Sequence, residues 1–295
     1  MRFRKLWLFS SLALSMALAG CAKHEPRTTA ELLGRLPVED AWVARIDVDA
    51  LRKAGVLNLL SAGKAAVESE YQAFLNGTGF DYQRDLDEVV GSFSGAGTFL
   101  VLKGRFDWPR LEAYAGKNGG SCYDKLCRMP GSVPERRISF MPLSNSVMAM
   151  AVSTDDLAAS RMLKATAGVK ASPSQPLWVT VPGRILRSST ALPVAMRIFT
   201  AALGPSDLVS FTLGPAADGG YEAKLNAQCR TAEDARVMTV QLTKLTEMLK
   251  GFLGKSKGED FGSLIAAGGF SQSGTNVYGT WPVRKGLLES LAGGN

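Results

Sequence analysis

A single histidine, His24, serves the whole 295-residue chain. It lies in a short polar stretch ahead of the first hydrophobic pattern, so the rest of the protein has no imidazole. Ser-His-Asp and Cys-His catalysis, His-ligated zinc and histidine phosphoryl relays are thereby excluded unless a partner donates the base. Cysteine is also scarce, at four residues. Its one close pair, Cys122 and Cys127, has neither the Cys-x-x-Cys spacing of a redox pair nor further ligands nearby for a metal. Beyond Gly20 no uninterrupted apolar run reaches the roughly 20 residues of a membrane-spanning helix. No dense Lys/Arg block and no basic patch interleaved with aromatics occurs, so nucleic acid is not an expected partner. The glycines of Gly91-Ser-Phe-Ser-Gly95-Ala-Gly97 and of Gly268-Gly269 lack the spacing and the Lys and Ser/Thr of a phosphate loop. Gly97 also leads into a strand where a dinucleotide fingerprint needs a helix. Both sets read as strand or bulge glycines, and no residue is assigned a catalytic, metal or cofactor role.

What is present begins at the N-terminus. Arg2, Arg4 and Lys5 precede an apolar run from Leu6 to Gly20, which ends in Leu18-Ala19-Gly20-Cys21. The run is short for a bilayer span and is interrupted by Ser10, Ser11 and Ser15. It reads as an export signal over residues 1–20, with an ordinary secretory signal and an uncleaved anchor as the alternatives. Leu18-Ala19-Gly20-Cys21 resembles the lipobox of bacterial lipoproteins. The resemblance implies cleavage between Gly20 and Cys21 by the lipoprotein signal peptidase, and a diacylglyceryl thioether plus an N-acyl chain such as palmitate on Cys21. Several acyl chains make such an anchor stable, since each buried methylene contributes about 0.8 kcal/mol. Ala22 stands where similar lipoproteins of the inner membrane often carry Asp. In a two-membrane cell this favours the periplasmic face of the outer membrane. Without the first 20 residues the chain has 31 basic against 27 acidic residues, a net charge of +4.

Residues 21–35 read as a tether entering a small helix, and the body behind them repeats one pattern twice. In 36–164, Trp42-Val-Ala-Arg-Ile-Asp-Val is a strand, followed by a helical region from Leu51 to Leu75 and strands over 89–94 and 97–103. A helix at 108–115, strands at 138–143 and 147–152, and a helix at 155–163 complete the first unit. In 176–295 a strand at Trp178 precedes a helix over 192–203, strands at 208–213 and 221–227 and a long helix over 232–253. Strands near 264–271 and 276–281 and a helix over 283–291 follow. Trp42-Val43 and Trp178-Val179 open the two halves. Asp107 and Thr231 are placed to cap the following helices, and Pro109 and Pro282 to lie in first helical turns. Met238, Leu242, Leu245, Leu249 and Phe252 form one apolar stripe. The order strand, helix, hairpin, helix, strand is that of a ferredoxin-like unit, βαββαβ, with an added strand and helix. The expected fold class is α+β: two tandem related units with antiparallel sheets and helices packed on one face, joined by a linker at 165–175.

Cys122 and Cys127 lie in a loop-like stretch and are expected to form a local disulfide, in keeping with an oxidising compartment. Cys229 reads as a buried small hydrophobe. The richest acidic cluster is Asp81, Asp85, Asp87 and Glu88, with Arg84 among them. Its spacing is not that of a Ca²⁺ loop; Asp81 reads as a cap and the others as partners of Arg84. The phrasing Leu36-Pro-Val-Glu-Asp-Ala-Trp-Val, Ile46-Asp-Val-Asp-Ala-Leu and Phe80-Asp-Tyr-Gln-Arg-Asp-Leu-Asp resembles duplicated α+β lipoproteins of bacteria. That resemblance covers about the first third of the body and implies architecture without an activity. The expected role is a membrane-anchored, non-catalytic binding or scaffolding module of the cell envelope with an envelope protein as partner. The alternatives are a hydrolase using Asp85 or Asp87 and a carrier of a small ligand or lipid between the two units.

Overall fold

The computed structural model describes residues 26, 28–57, 69–165, 174–188, 194–217, 220–253, 264 and 266–284. The export signal, Gly20 and Cys21 lie outside them, as do most of the expected linker and of the helix expected over 283–291. In the described chain the first unit contains α1 (Thr29–Leu33), β1 (Trp42–Asp47), α2 (Val48–Lys53), α3 (Ser69–Thr78) and α4 (Tyr82–Asp85). It continues with β2 (Leu86–Ser94), β3 (Gly97–Gly104), α5 (Trp108–Lys117), β4 (Ser121–Tyr123), β5 (Leu126–Pro130), β6 (Arg137–Pro142), β7 (Val147–Ser153) and a 3₁₀ segment (Ala158–Leu163). The second contains β8 (Leu177–Pro182), α6 (Gly183–Ser188), α7 (Val194–Leu203), β9 (Leu208–Pro215), β10 (Tyr221–Gln228), α8 (Ala232–Leu253), β11 (Gly269–Ser273) and β12 (Asn276–Val283).

All strands belong to one antiparallel sheet in the order β11-β12-β10-β9-β8-β1-β2-β3-β7-β6-β5-β4. Each unit has its first three strands side by side, then its last strand, then the one before it. The units meet where β1 pairs antiparallel with β8, with Ala44 opposite Val179 and Arg45 opposite Trp178. Both strands have six residues, so laying one on the other end to end equates Ala44 with Val179. These two residues face each other, and a local twofold axis therefore passes between them. On this alignment Val43, not Trp42, is the counterpart of Trp178. Trp42 and Trp178 sit on opposite faces, because side chains alternate at every residue of a strand.

Local chemistry explains where the elements begin. The Asp107 carboxylate accepts from the Arg110 amide and caps α5, with Pro109 in the first turn. The Thr231 hydroxyl accepts from the Asp234 amide at the start of α8. Thr28 and Glu31 form a reciprocal capping box on α1. Gly77 lets α3 approach α5, since a Cβ there would lie 2.7 Å from the Tyr114 ring. Pro282 is not in a helix: it lies in β12 opposite Glu222 of β10, beyond the end of β11, where its missing N–H costs no ladder bond. Leu264 and Ala266 are helical, so the strand expected there is confined to Gly269–Ser273. The stretch around the cysteine pair is a hairpin and not a loop: β4 and β5 pair Cys122 with Cys127 across a turn in which Asp124 and Lys125 have positive φ.

Helices pack on one face of the sheet in both units. On the first unit α2, α3 and α5 bury Leu51, Leu111 and Ala115 against Leu102, Phe140 and Met148. On the second, Ala235, Met238 and Leu242 of α8 pack on Val209, Leu225, Ala227 and Val277. The other face is treated differently in the two halves. Over the first unit α1 and the 3₁₀ segment bury Leu32, Leu33, Leu36, Ala158, Ala159 and Met162 on Val90, Phe99, Val101, Ala149 and Ala151. This unit is thus covered on both faces, one more than expected. Trp178 joins that core from β8, and Tyr221, Ala223 and Val283 of the second unit join the core under α2. The two halves share hydrophobic interior on both sides of the sheet.

Candidate functional site

Reading outward from the local axis along the face that carries α1 shows how the halves diverge. From β1 the paired residues run Arg45, Val90, Val101, Ala149, and in the adjacent row Val43, Ser92, Phe99, Ala151. From β8 the counterparts run Thr180, Ser210, Asn226, Tyr278, and Trp178, Thr212, Lys224, Thr280. Val90, Val101, Ala149 and Ala151 are fully buried. Asn226, Lys224, Tyr278 and Thr280 are exposed, and Ser210 and Thr212 half-exposed. At three equivalent positions of one row the first copy buries Val90, Val101 and Ala149 where the second carries Ser210, Asn226 and Tyr278, while Ser92 and Thr212 are hydroxyl-bearing in both.

The boundary between the covered and open halves forms a groove of about 650 Å³. Val38 and Ala41, from the segment between α1 and β1, make one wall with Val43 and Trp178. The floor is Thr180, Ser210, Thr212, Lys224 and Asn226, and Tyr278 lies at the far side. The Thr180 hydroxyl donates to the Val209 carbonyl and lies 3.4 Å from the Ser210 hydroxyl. Lys224 pairs with Glu222 at 2.8 Å on the same face. Pro182, Leu208 and Leu225 complete the lining, most of whose surface is apolar, and among the described residues it contains no carboxylate, thiol or imidazole.

The junction beside the groove is tied by a buried ion network. Arg45, 8% exposed, donates from Nε to Glu88 at 2.6 Å, from Nη2 to Asp47 at 3.0 Å and from Nη1 to the Gln175 carbonyl at 3.1 Å. Glu88 also accepts from the Thr29 hydroxyl of α1 at 2.6 Å. One guanidinium thus joins the N-terminal helix, the first two strands and the entry to the second unit. Nothing in the spacing of Arg45 and Glu88 marked them, since strand pairing alone brings them together.

The acidic cluster comes apart in space. Asp81 caps α4. Asp85 accepts from Arg84 Nε and Nη2 at 3.0 and 2.7 Å and from the Asp81 amide at 3.0 Å, and Arg105 lies 3.4 Å away. The Arg84 hydrogen bonds, against the opposing effect of burial, hold its carboxyl below the usual range. Asp87 is the bulged residue of β2, and Glu88 turns to Arg45. Tyr71, donating to Asp81, has its phenol pushed up to about 12, mainly by burial. Arg105 and Arg110, the cations near Trp108, pair with Asp85 and Asp107. Cys122 and Cys127 are joined by a disulfide in the exposed hairpin. Cys229 is buried against Met238, and burial raises its thiol above the ordinary range.

A second concavity, about 270 Å³, lies on the helical face of the first unit among Phe74, Phe106, Tyr114, Met129, Phe140 and Met150. Among the described residues no helix is long and apolar enough to cross a membrane. In sequence the chain matches no protein-family profile and no curated protein. In structure it is similar to crystal form I of TP0453, at a TM-score of 0.52 and 11% identity, over 90% of this chain and 98% of that one. The likeness is one of fold: a mixed α+β architecture shared over nearly the whole of both chains.

Proposed function

We propose that the protein is an extracytoplasmic lipoprotein, anchored through Cys21, that serves as a non-catalytic binding or scaffolding module of the cell envelope and holds an envelope protein in the groove beside Trp178. The observation that carries this reading is the change from apolar to polar at three equivalent positions of one row of the sheet. Where the first unit buries Val90, Val101 and Ala149, the second carries Ser210, Asn226 and Tyr278 along the groove. The anchor adds proximity: α1 is capped by Thr28, seven residues beyond Cys21. Fully extended at about 3.4 Å per residue, that tether keeps the body within about 24 Å of the bilayer.

Crosslinking of the anchored protein in intact cells, with Cys21→Ser as the unanchored control, tests the reading. A discrete protein adduct that disappears in the control is the expected result. A purified body that turns over a substrate and captures no envelope protein would falsify it. The hydrolase alternative draws little support from Asp85, whose two oxygens are occupied by Arg84, Arg105 and the Asp81 amide. Carriage of a small apolar ligand is favoured by the 270 Å³ concavity, lined by aromatic rings and methionines. A co-purifying apolar molecule identified by mass spectrometry would move the assignment there.

A further inference from the structure

We infer that the first unit carries a second binding site, separate from the groove: the concavity between α3, α5 and the sheet takes one straight hydrocarbon tail of about ten carbons, the acyl chain of a lipid. Phe74 of α3 and Tyr114 of α5 form its roof, and Met129, Phe140, Met148 and Met150 its floor. Phe80 and Phe106, which also line it, stack with ring centroids 5.4 Å apart. Met129, Ile138 and Met150 are half-buried, so the floor reaches the surface.

The lining sets the chemistry of the guest. Among the described lining residues the Tyr114 hydroxyl is the one polar side-chain group. A guest carrying charge or several polar groups into this space would leave them unpaired, so its polar end stays at the mouth and only hydrocarbon enters. An apolar cavity of about 150 Å³ stays dry and takes benzene. One of about 270 Å³ therefore takes about ten carbons. Methionine side chains are unbranched and follow an irregular outline, which suits a flexible chain better than a rigid ring system.

The second unit closes the equivalent place with a side chain of its own. The strand pairings that equate Ala44 with Val179 also equate Met150 with Gly279, Phe140 with Phe270 and Val152 with Trp281. The Trp281 indole, 5% exposed, lies against Phe270 with centroids 5.5 Å apart. It also covers Gly279 and Gly268, where any Cβ would collide with it. In the first unit Val152 stands in place of that indole, and the space over Phe140 and Met150 is left for a guest. The source of the chain rests on the reading of an anchored protein, which places a bilayer within about 24 Å. The site itself does not.

The test titrates the Cys21→Ser form, free of detergent, with hexanoate, octanoate, decanoate, dodecanoate and tetradecanoate below their micelle concentrations, by calorimetry. Affinity should climb about fourfold per methylene and level off at about ten carbons, with a negative heat-capacity change. Met150→Trp, which gives the first unit an indole of its own, should weaken decanoate by about tenfold or more. Met150→Ala removes three heavy atoms and should move the levelling point out by about three carbons, which carries the test if Met150→Trp does not fold. Lipid extracted from the anchored protein and identified by mass spectrometry then separates a free fatty acid from the tail of a membrane lipid. No binding of decanoate, affinity that never levels, indifference to both Met150 variants, or tighter binding of naphthalene, a rigid guest of equal carbon count, would each overturn the inference. A protein adduct in cells without alkanoate binding refutes the tail site and leaves the envelope module standing, and alkanoate binding without an adduct does the reverse.

Discussion

Replacing Arg45 by alanine should be the most damaging single change at the junction of the two units. The side chain is nearly buried and makes three hydrogen bonds, two of them to the carboxylates of Glu88 and Asp47 and one to the Gln175 carbonyl. Removing one member of a buried ion pair typically costs about 3–5 kcal/mol, mostly because the remaining charge is stranded. Here Glu88 would keep the Thr29 hydroxyl, and Asp47 would keep the Ala50 amide that it caps. The lower end of that range, about 3 kcal/mol, is therefore expected. For a chain of this size it corresponds to a fall in Tm of roughly 5 °C. Equilibrium urea unfolding measures the free energy, and hydrogen exchange at Ala44 and Val179 reports whether the β1–β8 seam opens first. Arg45→Met combined with Glu88→Leu should recover much of the loss, because neither charge then remains unpaired. A cost below about 1 kcal/mol for Arg45→Ala would refute the reasoning and reassign the network to surface-type pairing.

Two further outcomes rest on single side chains. The Asp85 carboxyl is held below the ordinary range by Arg84, so its folded pKa is lower than its unfolded one. Its contribution is present above the unfolded pKa, near 3.9, and is lost as pH falls through the lower folded value. Asp85→Asn should therefore destabilise the protein at neutral pH, with the difference from wild type shrinking on the acid limb of a pH series of urea melts; a gap that is constant with pH would contradict it. Ser92 is 1% exposed and its hydroxyl has no hydrogen-bond partner among the described residues. Ser92→Ala should raise stability by about 1 kcal/mol in the same melts, and a loss of that size would mean that the hydroxyl is satisfied.

Much of the fold is legible in local residues because local physics sets it. Asp107, Thr231 and Asp81 cap helices where short-range hydrogen bonding dictates, and the stripe through Met238 and Leu242 turns to the sheet because 3.6-residue spacing gathers it on one side. The errors occur where a distant strand decides. Pro282 looks like a helix start until β12 is seen to outrun β11. Trp42 and Trp178 look equivalent until pairing shows a shift of one residue, which sends them to opposite faces. The Cys122–Cys127 stretch carries too little hydrophobic alternation to announce β4 and β5, and it is a strand pair because β6 offers β5 an edge.

The sequence alone determined the α+β class, the twofold repetition and most element boundaries, since each depends on spacing and capping within a few residues. It also determined that the body has no imidazole. Tertiary structure decided that β1 and β8 fuse the two halves into one sheet, that Arg45 meets Glu88, and that the polar residues of β9, β10 and β12 align into one open floor. A strand's side chains alternate whatever its neighbours are, but which row faces which, and what covers it, depends on register between segments far apart in the chain.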